Sequence, residues 1–487
     1  MNPAWVILII ALYFLVLIVI GRLTSRNANN ESFFLGNRQS PWYVVAFGML
    51  GASLSGVTFI SVPGYVGDTQ FSYLQLVLGY LLGYFVVANV LLPLYYRLNL
   101  TSIYTYLEGR FGFYSYKTGA MFFLISRLVG SSFRLFLVAT VLQITVFDTW
   151  NVPFVVTVLV TILLIWLYTN RGGIKTIIWT DTLQTAAMLT AVVLTIYFVA
   201  KQMDLSFGQM VQTIRDSEHS RTWFFDDWND KRHFLKQFFS GAFITIVMTG
   251  LDQDMMQKNL SCRNLKDAQK NMYWYGFAFL PVNLIFLSLG VLLFVFAQQQ
   301  GITIPDQTDE LFPIIATQGY LPTVVSILFI LGIVAAAYSS ADSALTSLTT
   351  SFTVDILNPK GKTEEEVKSI RRRVHIGISL LRAAAIMVFK AVNNESVISA
   401  IFTVAGYTYG PLLGLYAFGM FTRFKVRDKW VPLVAIASPV ICFFLAKYSA
   451  ALFNGYEFGF ELLMVNGALT FLGLLLLSRR RERVNKI

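Results

Sequence analysis

Long apolar segments, separated by short polar loops, recur along the whole chain. A helix needs about 20 mostly apolar residues to cross the hydrocarbon core of a bilayer. The chain is 55% hydrophobic and only 13% charged, whereas soluble domains carry about 25% charged residues. We therefore predict an all-α polytopic membrane protein with about thirteen transmembrane helices. The predicted spans are 4–22, 42–67, 71–96, 118–147, 153–169, 176–200, 235–256, 271–297, 321–351, 375–392, 396–421, 429–447 and 458–478.

Basic residues are concentrated in alternate loops of this pattern. The loops after the odd-numbered spans and the C-terminal tail carry most of them, whereas the opposite loops are neutral, acidic or mixed. Because Lys and Arg accumulate on the cytoplasmic side of a membrane, the N-terminus is predicted outside and the C-terminus in the cytoplasm, in the plasma membrane or a bacterial inner membrane. This bias accounts for the net charge of +11, so we expect a lipid bilayer as partner and no nucleic acid. Examples are Arg22, Arg26, Arg97, Arg110, Lys258, Arg263, Arg371, Arg372, Arg373, Arg423, Arg480 and Arg481.

The motifs of common enzyme classes are missing from the sequence. The two cysteines, Cys262 and Cys442, are far apart, and the three histidines do not have the spacing of metal ligands. There is no glycine-rich phosphate loop, no GxSxG and no HExxH. We therefore predict that the protein is not an enzyme.

Two predicted spans contain residues that disfavour a continuous helix. The second has Gly51-Ala52-Ser53-Leu54-Ser55-Gly56 at its centre, and each glycine costs a helix about 1 kcal/mol. Either the helix breaks there and its free carbonyls line a cavity, or the small residues allow close helix packing. The seventh span has Gly250, Asp252, Gln253 and Asp254 near its inner end.

The two interrupted spans are five apart, which is typical of transporters built from inverted repeats. We predict a five-plus-five inverted-repeat core over 31–421, with repeats of about 42–200 and 235–421 and with broken first and sixth core helices. An extra helix and loop at 1–30 precede this core. Two further helices and a basic cytoplasmic tail follow at 422–487.

The ninth span carries a polar stripe inside an apolar segment. Ala336, Ser339, Ser340 and Ser343 fall on one face of a helix, and Asp342 lies beside them. Small-residue packing would explain the serines but not a carboxylate in hydrocarbon, which needs a cation, a proton or a partner. A second carboxylate, Asp181, begins the sixth span.

These stretches together resemble the sodium:solute symporter family, which includes sodium/glucose, sodium/iodide, sodium/monocarboxylate and sodium/sialic-acid transporters. The resemblance covers residues 31 to about 421 in the family's order, but it does not identify a substrate. It rests on ESFFLGNRQSPWYVVAFGMLGASLSGVTFIS from Glu31, LPLYYRLNLTSIYTYLEGRF from Leu92, RGGIKTIIWTD from Arg171, DQDMMQKNLSCRNLKDAQK from Asp252 and AAAYSSADSALTS from Ala335.

The resemblance implies at least one sodium ion as co-substrate. The family's shared site would use the carbonyls of Gly51, Leu54 and Ala336 and the hydroxyls of Ser339 and Ser340. Some members have a second sodium site, which would use Asp181, Ser339, Asp342 and Ser343. The sialic-acid relatives have Ser in place of Asp342, so the two carboxylates here would either bind sodium more tightly or share a proton.

The resemblance also implies substrate contacts, which would be Ser53, Ser55, Thr58, Tyr73, Gln75, Asp252, Gln253 and Thr403. Sialic-acid carriers place an Arg near the position of Gly130, whereas here Arg127 and Arg134 lie one turn to either side. Sugar carriers often have an Asn near Ser53, which this chain lacks. Neither signature fits.

The predicted function is therefore sodium-coupled secondary active symport. The protein would import a small organic solute, such as a sugar, sialic acid or monocarboxylate, across the plasma membrane by alternating access. The alternatives are a transporter-like membrane sensor and a channel. A sensor predicts an attached signalling domain, and a channel predicts flux without sodium-dependent saturation.

Overall fold

The computed structural model describes residues 3–25, 29–359, 361–392 and 397–479. Arg26 in the first loop and Arg480 and Arg481 in the tail lie outside these ranges. The long helices are Pro3–Thr24, Trp42–Ser53, Gly56–Thr69, Ser72–Arg97, Phe113–Leu142, Phe154–Gly172, Ile174–Gln202, Phe234–Gly250, Gln253–Leu260, Leu265–Gln300, Thr323–Leu357, Glu364–Val392, Val397–Phe421, Val431–Lys447 and Leu462–Leu476. Shorter helices are Asn30–Leu35, Thr105–Arg110, Phe207–Asp216, Leu311–Thr317 and Ser449–Leu452, and Lys425–Val426 pairs antiparallel with Ser478–Arg479.

The all-α membrane architecture predicted from the sequence is confirmed. A helix lies over each of the thirteen predicted segments. By length and apolar composition, eight helices among the described residues qualify as membrane spans, or ten if each of two bent pairs counts as one span. The count of thirteen crossings therefore stays a prediction.

Some helices begin earlier than their apolar segments do. Helix Glu364–Val392 begins well before the predicted start at residue 375, and its first turns include the arginines that sequence analysis assigns to a loop. The Thr363 hydroxyl and the Glu366 carboxylate cap its first turn reciprocally, and three acidic residues there complement the helix dipole. Polar capping, which hydropathy does not detect, extends this helix beyond its apolar part.

Contacts between loops divide the loops into two groups. On one face, Lys231 forms an ion pair with Glu457, and Thr308 donates to Asp68. On the other, Arg38 donates to the carbonyl of Leu100. We call these the 201–233 face and the 98–112 face. Loops that follow odd-numbered spans thus contact one another on the 98–112 face, as an alternating topology requires.

Helix Thr323–Leu357, which carries the polar stripe, is enclosed by other helices over most of its length. Every residue from Gly332 to Ser351 is buried. The helix packs against Ile174–Gln202, against the first half of the broken helix at residues 42–69 and against Gln253–Leu260. Its hydroxyls therefore face other core helices and not lipid.

Candidate functional site

The first broken helix consists of Trp42–Ser53 and Gly56–Thr69, whose axes differ by 55°. The last carbonyls of a helix have no partner within it, so the break at Leu54 and Ser55 leaves backbone oxygens available inside the bundle. Gly51, just before the break, has a different role. A Cβ at this position would lie 1.9 Å from Thr185 Oγ1. The glycine-rich stretch therefore provides both close helix packing and a break, the two alternatives raised by the sequence.

The second broken helix consists of Phe234–Gly250 and Gln253–Leu260, which are bent by 63°. Asp252 caps the second half, because its carboxylate accepts from the backbone N–H groups of Asp254 and Met255. The carbonyls freed at Gly250 and Leu251 accept hydrogen bonds of 2.8 and 2.9 Å from the phenol groups of Tyr95 and Tyr104, respectively. Polar contacts therefore satisfy these carbonyl and N–H groups at the break, as burial in a membrane protein requires.

A cavity of about 100 Å³ lies beside the break in the first broken helix. Four of the predicted substrate residues line it, namely Ser53, Ser55, Thr58 and Tyr73. A chain of hydroxyl groups forms one wall, because Ser53 Oγ lies 2.5 Å from the phenol oxygen of Tyr275, which accepts from Tyr84 at 2.9 Å. The remaining lining residues include Tyr80, Arg127, Arg134, Thr245, Met248, Thr249, Phe279, Ile401 and Phe402.

The other four predicted substrate residues lie away from this cavity lining. The Gln75 side chain bonds to the 201–233 loop, through the carbonyl of Arg232 and the N–H of Phe224. Gln253 bonds to the carbonyl of Thr101 and the N–H of Ile103, on the 98–112 face. Asp252 accepts from Tyr409 in addition to its capping role. Thr403 lines a separate cavity of about 640 Å³ on the 201–233 face, and the neighbouring Phe402 lines both cavities. We call this larger cavity the vestibule.

Two arginines on one face of helix Phe113–Leu142 reach the central cavity. Arg127 forms ion pairs with Asp254 and, at 3.9 Å, with Asp252. Arg134, two turns further on, makes no ion pair or side-chain hydrogen bond with the residues that the structure describes, and its Nε atom is buried without a partner. An arginine is always charged, so the cavity wall carries a guanidinium that no side chain in the described ranges pairs.

The five residues predicted for the shared sodium site lie on two helices that pack together. The Ser339 hydroxyl donates to Asp181 Oδ1 at 2.6 Å, and the Ser340 hydroxyl donates to the carbonyl of Ala337 at 3.2 Å. A hydroxyl oxygen that donates its proton keeps its lone pairs, so both can still coordinate a cation. Ala336 is buried one turn earlier, whereas Gly51 and Leu54 are buried at the break of the facing helix.

The four residues predicted for the second sodium site are all buried, but they bond to different partners. Asp181 accepts from Lys258 Nζ at 2.7 Å as well as from Ser339. Ser343 donates to Asp254 and not to Asp181. Asp342 lies between the two serines on the same helix, with 0% of its surface exposed. The structure therefore brings Asp181 and Ser339 together and pairs Ser343 with another carboxylate.

The prediction of Lys258 in a basic loop is wrong, and Asp254, predicted near the inner end of the seventh span, is a second buried charge. Lys258 is only 1% exposed and Asp254 is fully buried, and both belong to helix Gln253–Leu260. The reason is charge pairing, because Asp181 and Arg127 neutralise them within the bundle. Asp254 and Lys258 are four residues apart, which places both on one helix face. This spacing is the sequence signal that could have indicated their helical position.

Comparisons with known proteins identify the family and the relatives that this chain resembles. The family model of the sodium:solute symporter family matches residues 33–427. The chain is 26% identical to the sodium/sialic acid symporter NanT of Aliivibrio fischeri over 82% of this chain and 79% of that one. It is 25% identical to the sodium/sialic acid symporter SiaT of Proteus mirabilis over 90% and 88% of the two chains. It is 26% identical to the human sodium/iodide cotransporter over 80% and 61% of the two chains.

Solved structures show the same fold at low sequence identity. A Na⁺-coupled sialic acid symporter in a substrate-bound outward-open state superposes with a TM-score of 0.83 at 20% identity, over 98% of this chain and 99% of that chain. A transporter of the nucleobase-cation-symport-1 family superposes with a TM-score of 0.56 at 13% identity, over 92% and 93% of the two chains. The predicted inverted-repeat fold with broken first and sixth core helices is therefore confirmed. The family match extends over most of the sequence, and the chain belongs to the sodium:solute symporter family.

Proposed function

We propose that the protein imports a small organic solute by sodium-coupled symport with alternating access across the plasma membrane. Family membership supports sodium and a small solute as the transported species. The observation that carries the proposal is the central cavity beside the break of the first broken helix. This broken helix itself packs against the hydroxyl-bearing helix Thr323–Leu357. A solute in the cavity and a cation at the break would then be close enough for their binding to be coupled.

Sodium would bind at the shared site, through the carbonyls of Gly51, Leu54 and Ala336 and the hydroxyls of Ser339 and Ser340. Hard cations take oxygen ligands, and this set consists entirely of carbonyl and hydroxyl oxygens. The bent helix supports the assignment because it frees carbonyls at Gly51 and Leu54 that a continuous helix would use internally.

The solute would occupy the central cavity, with Ser53, Ser55, Thr58 and Tyr73 as contacts. The unpaired guanidinium of Arg134 favours a solute with an anionic group, because guanidinium and carboxylate form strong charge-assisted hydrogen bonds. Relatives named for sialic acid, iodide and monocarboxylates support an anionic solute as well. Gln75, Asp252, Gln253 and Thr403 remain predictions for solute contacts in another conformation of the transport cycle.

The membrane orientation and domain boundaries remain part of the proposal. We infer that the 201–233 face is extracellular and the 98–112 face cytoplasmic, because the basic loops contact one another on the latter. Residues 31–421 would form the transport core. Residues 1–30 and 422–487 would add one helix before this core and two after it.

Uptake by purified protein in liposomes tests the proposal. Sialic acid, short monocarboxylates, neutral sugars and amino acids would be offered with an inward sodium gradient, and a matched choline gradient serves as the control. We expect accumulation of one anionic solute class that saturates with sodium. Equal flux in sodium and in choline, without saturation, would indicate a channel and contradict symport.

A further inference from the structure

Both carboxylate oxygens of Asp181 are already bonded to protein groups. Oδ2 accepts from Lys258 Nζ at 2.7 Å, and Oδ1 accepts from the Ser339 hydroxyl at 2.6 Å. Neither the carboxylate nor the ammonium is open to solvent, because Asp181 is 0% and Lys258 1% exposed. The charge that a membrane-embedded carboxylate requires is therefore supplied by a lysine of the same chain.

The second half of the second broken helix supplies this lysine. Helix Gln253–Leu260 carries Asp254 and Lys258 one turn apart. Asp254 pairs with Arg127 and accepts from Ser343, whereas Lys258 pairs with Asp181, which accepts from Ser339. One short helix thus bonds directly to one end of the serine stripe through Asp254, and it is linked to the other end through the Lys258–Asp181 pair.

A second positive side chain flanks the same region. Arg382, 1% exposed, donates through Nη1 to the carbonyl of Ala341 at 2.9 Å. Ala341 immediately precedes Asp342. The guanidinium of Arg382 therefore contacts the same helical turn that carries the Asp342 carboxylate. The region around the predicted second sodium site therefore contains two buried cationic side chains, Lys258 and Arg382.

From these contacts we infer that Lys258 is a built-in cation that takes the place of a second sodium at Asp181, so that transport is coupled to one sodium ion at the shared site. This inference rests on the proposed symport. A sodium ion beside Asp181 would have to displace the ammonium or lie next to it, and like charges in a buried site repel each other strongly. Lys258 bonds to Asp181 and not to Ser340. The hydroxyl oxygen of Ser340 therefore remains available to sodium at the shared site.

The number of sodium ions bound at saturation tests this inference without any transport measurement. Purified full-length protein would be titrated with radioactive ²²Na⁺ in detergent at constant ionic strength, with choline as the replacing cation. We expect the wild-type protein to bind one sodium. Lys258→Met removes the ammonium but keeps much of the side-chain volume, and we expect it to raise the number from one to two. Lys258→Arg retains the positive charge and should still bind one.

A wild-type protein that binds two sodium ions would overturn the inference, whether or not any variant folds. So would a folded Lys258→Met protein that binds only one. The double variant Asp181→Asn with Lys258→Met removes both charges and should also bind one sodium, which would assign the additional ion in Lys258→Met to Asp181. A wild-type protein that binds no sodium would instead contradict the proposed symport, and this inference with it.

Discussion

The Lys231 ammonium lies 2.7 Å from Glu457 Oε2 and joins two loops across the vestibule. Both side chains are more than half exposed, at 55% and 59%, so salt should weaken the pair. The hydrogen bond from Lys231 lowers the pKa of Glu457 below its ordinary value. A carboxyl group whose pKa is lowered by folding contributes stability above its unfolded pKa, about 4.3, and loses it as the pH falls through the folded value. As the pH is varied, the contact should therefore persist at neutral pH and break in acid.

Breaking this pair should open the route from the vestibule to the central cavity. A cysteine at Ser55, which lines that cavity, would report access by its rate of reaction with an impermeant thiol reagent. We expect Lys231→Ala to increase this rate at pH 7, and high salt to increase it in the protein that retains Lys231. Arg221→Ala is the matched control, since its pair with Asp226 is also exposed but stays within one loop. Equal rates in both variants would contradict a closing role.

Removing the Ser340 hydroxyl should weaken sodium activation. The proposed site loses one of its five oxygen ligands, so we expect the sodium half-saturation of uptake to rise roughly fivefold to tenfold. Ser347→Ala is the control, because Ser347 is also buried on this helix and also donates to the carbonyl three residues earlier. An unchanged half-saturation in folded Ser340→Ala would exclude Ser340 as a ligand. Sodium and solute must also strengthen each other's binding by the same factor.

Arg134 should decide whether the solute is recognised as an anion. Arg134→Gln removes the unpaired charge and should weaken carboxylate binding by roughly tenfold to a hundredfold. Arg134→Lys keeps the charge but loses the planar, two-pronged guanidinium, so its affinity for the carboxylate should lie between those of the wild type and Arg134→Gln. Calorimetry with the best acid from the uptake panel and with its neutral amide measures this effect. If Arg134→Gln binds the acid as tightly as the wild type does, the cavity does not recognise a charge through this residue.

Gln253 should affect stability more than solute affinity. Its side chain links helix Gln253–Leu260 to the 98–112 face, by bonds of 2.9 Å to the carbonyl of Thr101 and 3.0 Å from the N–H of Ile103. Gln253→Ala would leave the buried N–H of Ile103 without its partner, which costs roughly 1–3 kcal/mol. We expect a clearly lower unfolding temperature and only a small change in the solute dissociation constant, because Gln253 does not line the central cavity. Gln253→Glu, which keeps the acceptor oxygen, should be milder. The opposite result, normal stability with weak solute binding, would favour direct contact.

The predicted orientation places Asp306 outside and Arg372 inside the cell. Both side chains are exposed, whereas the native Cys262 and Cys442 are buried, so the wild-type protein should give little background labelling. Asp306→Cys should react with an impermeant thiol reagent added to intact cells. Arg372→Cys should react only after the membrane is opened. Reaction of both from the same side would rule out an odd number of crossings between them.

The sequence alone determined the helical membrane architecture, the positions of the two interrupted helices and the family. These features depend on local patterns, namely apolar segments of spanning length, glycines and serines within them, and motifs such as the one around Ser339 and Ser340. Local features also determine which residues line the cavity. The break in the first broken helix and the start of the next helix position four of the predicted contacts there, namely Ser53, Ser55, Thr58 and Tyr73.

Only the tertiary structure decided how the buried charges are paired. Hydropathy assigns Lys258 to a loop, since an isolated lysine is costly in a membrane. Asp181, far away in the sequence, removes that cost by lying 2.7 Å from its ammonium. Arg127 likewise pairs with Asp254, which lies far away in the sequence. Gln253 also has distant partners, because its amide bonds to the 98–112 face and not to the cavity. Such partners come from separate helices, and their proximity follows from packing across the whole bundle, which no local sequence pattern encodes.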